Sequence, residues 1–281
     1  MFKRVGIIGV GLMGGSFALA FKEKFPQSKT VGFARKESSF KRLKKIDILD
    51  EVSSDLKKVV KGSDLLVLAL PVSLIVDYLE LIAPFLGKET VVMDLGSTKR
   101  EIHRVAKKLL PKRDNFVGCH PLCGSEKSGA EYAYKDLYKG TLCLITSASK
   151  NKNVKNIRMV WKAFGAKVRF LTPGMHDKIL SYISHFPHIL SFSLTKLVPS
   201  KFYQFSSLSF HDMTRVSASA ARLWTEIFLS NQQNINKNIS EFVEILGTFK
   251  NLIEEGKEKE LFSFIKAINR KNAFEKHLDT R

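Results

Sequence analysis

The stretch Val5-Gly6-Ile7-Ile8-Gly9-Val10-Gly11-Leu12-Met13-Gly14-Gly15-Ser16 decides how the rest of the chain is read. A short apolar run leads into Gly9-x-Gly11-x-x-Gly14, and the small and apolar residues that follow, as far as Lys22, suit a helix. Glycines at this spacing between a strand and a helix have separate uses. The first makes the tight turn, the second lets backbone approach a pyrophosphate, and the third lets helix pack on strand. The N-terminus of the helix then presents free N–H groups and a partial positive charge to the phosphates. Gly9, Gly11, Leu12, Met13 and Gly14 are therefore the expected cradle of a dinucleotide. The same glycines make Lys3-Arg4 and the run to Phe21 a poor signal helix, so no targeting segment is expected there.

Working outward, apolar runs recur at Thr30-Val31-Gly32-Phe33, Leu65 to Leu70, Val91-Val92-Met93-Asp94, Phe116-Val117-Gly118, Leu142 to Ile145 and Val168 to Leu171. Helical, Lys-rich segments separate the earlier runs, which predicts right-handed βαβ crossovers and a mostly parallel sheet. After Thr172-Pro173-Gly174 the pattern changes. From His176 to Leu197 and from Ser217 to Glu254 apolar residues recur at 3–4 spacing, as in Phe242, Ile245, Leu246, Phe249 and Leu252. The expected fold class is α/β: a Rossmann-type sheet domain over residues 1–172, followed by an all-α dimerisation and substrate domain over residues 173–281. A helical domain with apolar faces and too few residues to close its own core predicts a homodimer.

The second strand ends about twenty residues after the glycine turn, where an acidic residue would bind the ribose hydroxyls of NAD. Here the chain reads Ala34-Arg35-Lys36, with Ser38 and Ser39 beyond. Two cations stand where they can hold a 2′-phosphate, so NADP is favoured over NAD. In the alternative, Arg35 stacks on adenine and Glu37 reaches the ribose.

Composition narrows the partners. In 281 residues, 44% apolar and 26% charged, 46 Lys+Arg oppose 27 Asp+Glu, for a net charge of +19. Such a surplus raises the question of a polyanionic partner. The clusters Lys41-Arg42-x-Lys44-Lys45 and Lys57-Lys58-x-x-Lys61 lack interleaved aromatics and match no recognition module, so nucleic acid is not expected. Leu65 to Val76 is too short, and too interrupted by Pro71, to span a membrane. Three cysteines, Cys119, Cys123 and Cys143, fit neither a disulfide framework nor a metal site and suit a reducing cytoplasm.

In an open α/β sheet, chemistry belongs at the carboxyl ends of the strands, where the chain places Ser97 and His120, each read as just past a strand end. A neutral histidine there suits the acceptance of a hydroxyl proton, although a lone His before Pro is also a common turn residue. His176-Asp177 and His211-Asp212 read as polar pairs of a helix start and a loop, with no chemistry assigned. Without further information, His185-x-Pro187-His188 reads equally as a kinked buried helix, and Arg215 as a surface ion pair.

Four segments together carry a resemblance. Gly9-x-Gly-Leu-Met-Gly-Gly-Ser16, Asp94-x-Gly-Ser97-x-Lys99, Gly118-x-His120-Pro121-x-x-Gly124-x-Glu126-x-Ser128-Gly129 and Ser184-His185-x-Pro187-His188 stand in the order seen in prephenate and arogenate dehydrogenases of tyrosine biosynthesis. Thr214-Arg215-Val216 and Trp224-x-x-Ile-x-x-x-Asn231 continue it. The resemblance implies oxidative decarboxylation of prephenate, a small anionic substrate, to 4-hydroxyphenylpyruvate. Arogenate dehydrogenase is the near alternative, and another β-hydroxyacid-type dehydrogenase the remoter one. It further implies that His120 accepts the 4-hydroxyl proton and that Ser97 orients that histidine and the nicotinamide. Arg215 would grip a substrate carboxylate, His185 would support the pocket and Glu126 would stand at its mouth. Arg35, Lys36, Lys99 and Arg215 are the cations expected near the cleft.

Overall fold

The computed structural model describes residues 2–110, 112–123, 127, 129–147 and 151–278, without the side chains of Arg113 and residues 272–278. The described residues fall into two compact units, Met1–Gln232 and Gln233–Arg281.

The first unit is built on strands β1 (Arg4–Ile8), β2 (Lys29–Phe33), β3 (Glu51–Ser53), β4 (Leu65–Leu68), β5 (Val91–Asp94), β6 (Phe116–Pro121), β7 (Leu142–Ile145) and β8 (Lys167–Phe170). They form one sheet in the order β3-β2-β1-β4-β5-β6-β7-β8, parallel throughout except for the antiparallel β6–β7 pair. Helices α1 (Leu12–Lys24), α2 (Glu37–Lys45), α3 (Leu56–Val60), α4 (Val72–Ile82), α5 (Arg100–Leu109) and α6 (Lys152–Ala163) connect the strands. The chain reverses direction across the sheet between β1 and β4, the switch point at which doubly wound sheets bind ligands.

Each face of the sheet has its own core. On one, Phe17 and Phe21 of α1 meet Trp161 of α6 and Phe164 just past its end in edge contacts with centroids 5.2–6.5 Å apart. Tyr138 joins them and donates its hydroxyl to the Met13 carbonyl at 2.6 Å, tying this core to the first turn of α1. On the other, Ile75, Leu79 and Ile82 of α4 and Ile102, Val105 and Ala106 of α5 cover β4 and β5. Strands buried on both faces have no reason to alternate, which is why Leu65-Leu66-Val67-Leu68 is apolar throughout.

Three features differ from the sequence reading. β3 is too short and polar to announce itself, and it forms by pairing in register with Val31–Phe33 at the sheet edge. β6 runs past Gly118 to Pro121, because Cys119, His120 and Pro121 pair antiparallel with Ile145, Leu144 and Cys143. His120 is therefore within a strand, not beyond its end. The helical stretch from His176 is broken: α7 (Pro173–Leu180) and α8 (Phe186–Leu197) are joined by a π-helical turn, Ser181–His185. That turn loosens the backbone just before Pro187, which has no N–H to give the ladder. α9 (Leu208–Thr214) and α10 (Ala221–Ser230) complete this part of the chain.

The second unit consists of most of α11 (Gln232–Glu254) together with α12 (Glu258–Leu278). These helices meet through Phe249 and Phe264, whose rings cross edge to face at 5.0 Å. Val243, Leu246, Ile253, Phe262, Ile265 and Ile268 are exposed on them.

Candidate active site

The glycine turn has the geometry its spacing predicts, and the three glycines are required for different reasons. Gly9 has φ +94°, and a Cβ there would lie 2.3 Å from the Ala69 carbonyl oxygen. A Cβ on Gly14 would lie 2.2 Å from the Gly9 oxygen. Around Gly11 there is open space, with nothing within 4 Å of a built Cβ. Gly9 and Gly14 thus serve the fold, whereas Gly11 leaves room for something outside it. No side chain caps α1 and no acidic residue occupies its first turn. The N–H groups of Leu12, Met13 and Gly14 accordingly have no intrahelical acceptor. The cradle fits the pyrophosphate of a dinucleotide.

Beside it lies a groove of about 310 Å³ lined by Gly9, Val10, Arg35, Lys36, Ser39 and Arg42. The Phe33 and Tyr78 rings, which also line it, cross at 6.1 Å. Glu37 does not line the groove; its carboxylate lies 3.6 Å from Lys41.

At the carboxyl edge of the adjacent strands, Asp94 of β5 pairs in register with Gly118 of β6. The loop after β5 and the end of β6 therefore emerge side by side, carrying Ser97 and His120. Ser97 is half-buried, and its hydroxyl has no hydrogen-bond partner among the described residues. His120 keeps part of its ring accessible, and its Nδ1 lies 2.9 Å from Nε2 of His176 on α7. Behind that, His176 Nδ1 lies 2.8 Å from Asp177 Oδ1. Asp177 also accepts from the backbone N–H of Lys99 at 2.8 Å and of Arg100 at 2.9 Å, at the start of α5. A pair read from sequence as an inert helix start thus stands directly behind the candidate base. Burial pushes the His120 pKa well below its ordinary value, and His176 and Lys99 push it the same way. The ring is neutral across the physiological range.

Lys99 is placed differently from the sequence expectation. Its ammonium is fully buried and bonded to the Asp94 carboxylate, also fully buried, so it is not a cation lining the cleft. A charge taken out of water must be paired, and Asp94, five residues back at the strand end, is the partner at hand.

His185 and Arg215 also lie in the first unit. His185 is buried in the π-helical turn, where Asn231 Nδ2 donates to its Nδ1 at 3.1 Å, and burial pushes its pKa down to about 4. His188, one turn later and half-buried, donates Nδ1–H to the Ser184 carbonyl at 2.9 Å. Its ring stacks on Trp224 at 3.4 Å. Arg215 is exposed, and its charge acts on His188, adding to the lowering that burial causes there. Glu126 lies outside the described residues. His176, Asp177 and Asn231 are the neighbours of the site that spacing alone does not identify. Asp177 and Asn231 are themselves joined, by Asn231 Nδ2 donating to the Asp177 carbonyl at 2.8 Å. The available signal is the adjacency of His and Asp near the start of a helix following a strand.

Comparison with known proteins gives a consistent result. The family model described as prephenate dehydrogenase, nucleotide-binding domain, matches residues 17–170, and that described as prephenate dehydrogenase, dimerization domain, matches residues 172–267. The prephenate dehydrogenase of Bacillus subtilis is 29% identical over 269 residues, covering 92% of this chain and 72% of that one. The crystal structure of prephenate dehydrogenase from Aquifex aeolicus, in complex with hydroxyphenyl propionate and NAD+, superposes with a TM-score of 0.86 at 30% identity, covering 97% of this chain and 98% of the other. The Synechocystis arogenate dehydrogenase superposes with a TM-score of 0.81 at 25% identity, over 95% and 97% of the two chains.

Proposed function

This chain belongs to the prephenate dehydrogenase family, and on that premise we propose that it converts prephenate to 4-hydroxyphenylpyruvate and CO2 with a nicotinamide cofactor. The observation that carries this reading is a neutral, partly accessible histidine at the carboxyl edge of the sheet, beside the strand that leads into Ser97. When bound, the nicotinamide supplies the hydride acceptor. His120 takes the 4-hydroxyl proton as carbon 4 of the ring gives up its hydride. The ring carboxylate then leaves as CO2, its electron pair makes the ring aromatic, and the proton returns to the phenolate oxygen. Aromatisation drives the second stage, so the protein's work is to orient, exclude water and hold one proton. The Ser97 hydroxyl, with no partner among the described residues, is available to the substrate or the cofactor. Arg215 offers a planar fork of donors to a carboxylate, while His185 supports the pocket from within.

NADP is the favoured cofactor. Arg35, Lys36, Ser39 and Arg42 line the groove beyond the cradle, and the carboxylate of Glu37, turned toward Lys41, does not compete for the ribose. Arogenate is the alternative substrate, favoured by the likeness to the Synechocystis enzyme. The division at residues 172 and 173 separates the nucleotide and substrate domains in this reading, and the exposed apolar residues of α11 and α12 pair two chains into a homodimer. Three free cysteines suit a reducing cytoplasm. The test is an assay at 340 nm with prephenate or arogenate and NAD or NADP, in all four pairings. The fastest rise is expected with prephenate and NADP; a flat trace in all four would refute the activity.

A further inference from the structure

We propose that His176 and Asp177 form a positioning relay that fixes the tautomer of His120, leaving its Nε2 as the proton acceptor. This inference rests on the role given to His120 above.

The relay begins at a group whose hydrogen-bonding role is fixed. Asp177 accepts two backbone N–H bonds at the N-terminus of α5, from Lys99 at 2.8 Å and Arg100 at 2.9 Å. An ionised carboxylate only accepts, so the contact at 2.8 Å between Asp177 Oδ1 and His176 Nδ1 requires the proton on Nδ1. In a neutral imidazole the other nitrogen is then an acceptor. That nitrogen, His176 Nε2, lies 2.9 Å from His120 Nδ1, which must be the donor. His120 thus carries its proton on Nδ1, and the lone pair of Nε2 is the one left for substrate. One carboxylate settles two tautomers in sequence.

The net effect on both rings agrees with this assignment: both pKa values are lowered, although Asp177 and Asp94 act the other way on His176. The groups acting on the two rings are Asp177, Asp94, Lys99 and His185. Burial and the buried Lys99 ammonium oppose a second proton on either ring. His176 is fully buried, so no water competes for its Nε2. When substrate gives its proton to His120 Nε2, the new imidazolium keeps its Nδ1–H directed at His176 Nε2, with Asp177 behind. The relay therefore supports the charged form without itself touching the substrate. The Asp177 side chain also joins α7 to the start of α5, so the base in the sheet is set from a helix 56 residues downstream of it.

Nitrogen-15 NMR of the histidine-labelled full-length protein, without substrate, reads the tautomer directly, with His120→Asn identifying the signal. The expected spectrum has a protonated Nδ1 and an unprotonated Nε2 on His120. Asp177→Asn can present its amide N–H to His176 Nδ1, which reverses both rings and puts a proton on the catalytic nitrogen. Its kcat is expected to fall by about 10²–10⁴-fold, with the substrate KM and the cofactor Kd within about threefold of the parent. His176→Phe removes the acceptor and should lower kcat similarly, while His176→Gln, whose amide oxygen can accept from His120, should recover at least about tenfold of that loss. A wild-type His120 protonated on Nε2, or an Asp177→Asn variant with parental kcat, would overturn the relay. Because the spectrum needs no substrate, a flat 340 nm assay with the expected tautomer would instead refute the proposed function alone.

Discussion

The cofactor end and the catalytic end of the first unit are built by opposite means. The cofactor end is local: Gly9, Gly11 and Gly14 occupy one turn, and their spacing alone defines its geometry. The proposed catalytic end is assembled across the chain: His120, His176 and Asp177 come together because β6 and α7 meet, and the loop carrying Ser97 leaves β5 alongside β6. A local site tolerates change in the distant chain but not in its own backbone. An assembled site depends on contacts across many residues and can lose function through a residue that never meets the substrate.

Substitutions should separate the two designs. The largest effect is expected from Gly14→Val, whose side chain must enter the space of the Gly9 carbonyl; folded yield and cofactor binding should both collapse. Gly11→Val sharpens the contrast, since a Cβ there has no protein atom within 4 Å. Calorimetry should show an unchanged Tm while cofactor affinity falls at least about 100-fold, the side chain occupying the approach to the phosphates. Loss of stability in Gly11→Val would mean that the turn is not divided between fold and ligand as described. At the assembled end, Arg215→Ala should raise the substrate KM by about 10–100-fold, the value of a charged hydrogen bond, and leave cofactor affinity alone. Arg35→Ala should shift the NADP to NAD preference by about tenfold toward NAD, read as a ratio of kcat/KM values.

The most diffuse effect is on stability against acid. Burial holds His103 and His185 at pKa values of about 4 in the folded chain, against about 6.5 when unfolded. Between these values the unfolded chain binds more protons, so stability rises with pH and is lost as pH falls from about 6.5 toward 4. Each histidine can contribute up to roughly 3 kcal/mol of that loss. Denaturant titrations at pH 7 and pH 4.5 should show the midpoint falling, and His103→Gln or His185→Gln should flatten the dependence.

The same contrast explains what could be read from sequence. The glycine turn, the strands of the sheet interior and the helical second half are written in residues a few positions apart, so spacing and periodicity suffice. β3 and the extension of β6 through His120 depend on a neighbouring strand and have no signature of their own. The burial of Lys99 is hidden for a related reason: a lysine in the loop after a strand reads as a cleft cation until the buried carboxylate beside it is placed. His176-Asp177 is a modest pair at a helix start whose meaning comes from His120, far away in the chain. The net charge of +19 is now only partly explained. Arg35, Lys36 and Arg42 line the nucleotide groove, whereas many of the other lysines and arginines form exposed pairs such as Lys41–Glu37 and Lys250–Glu254, worth little to stability.

The central claim is that His120 accepts the substrate proton at a site whose cofactor end stands independently of it. Stopped-flow mixing of the NADP complex with prephenate, followed at 340 nm for the parent and for His120→Asn, tests it most directly. The account predicts a rate about 10²–10⁴-fold slower in the variant, with unchanged NADP affinity. A variant turning over within about threefold of the parent, or one that no longer binds NADP, would contradict it.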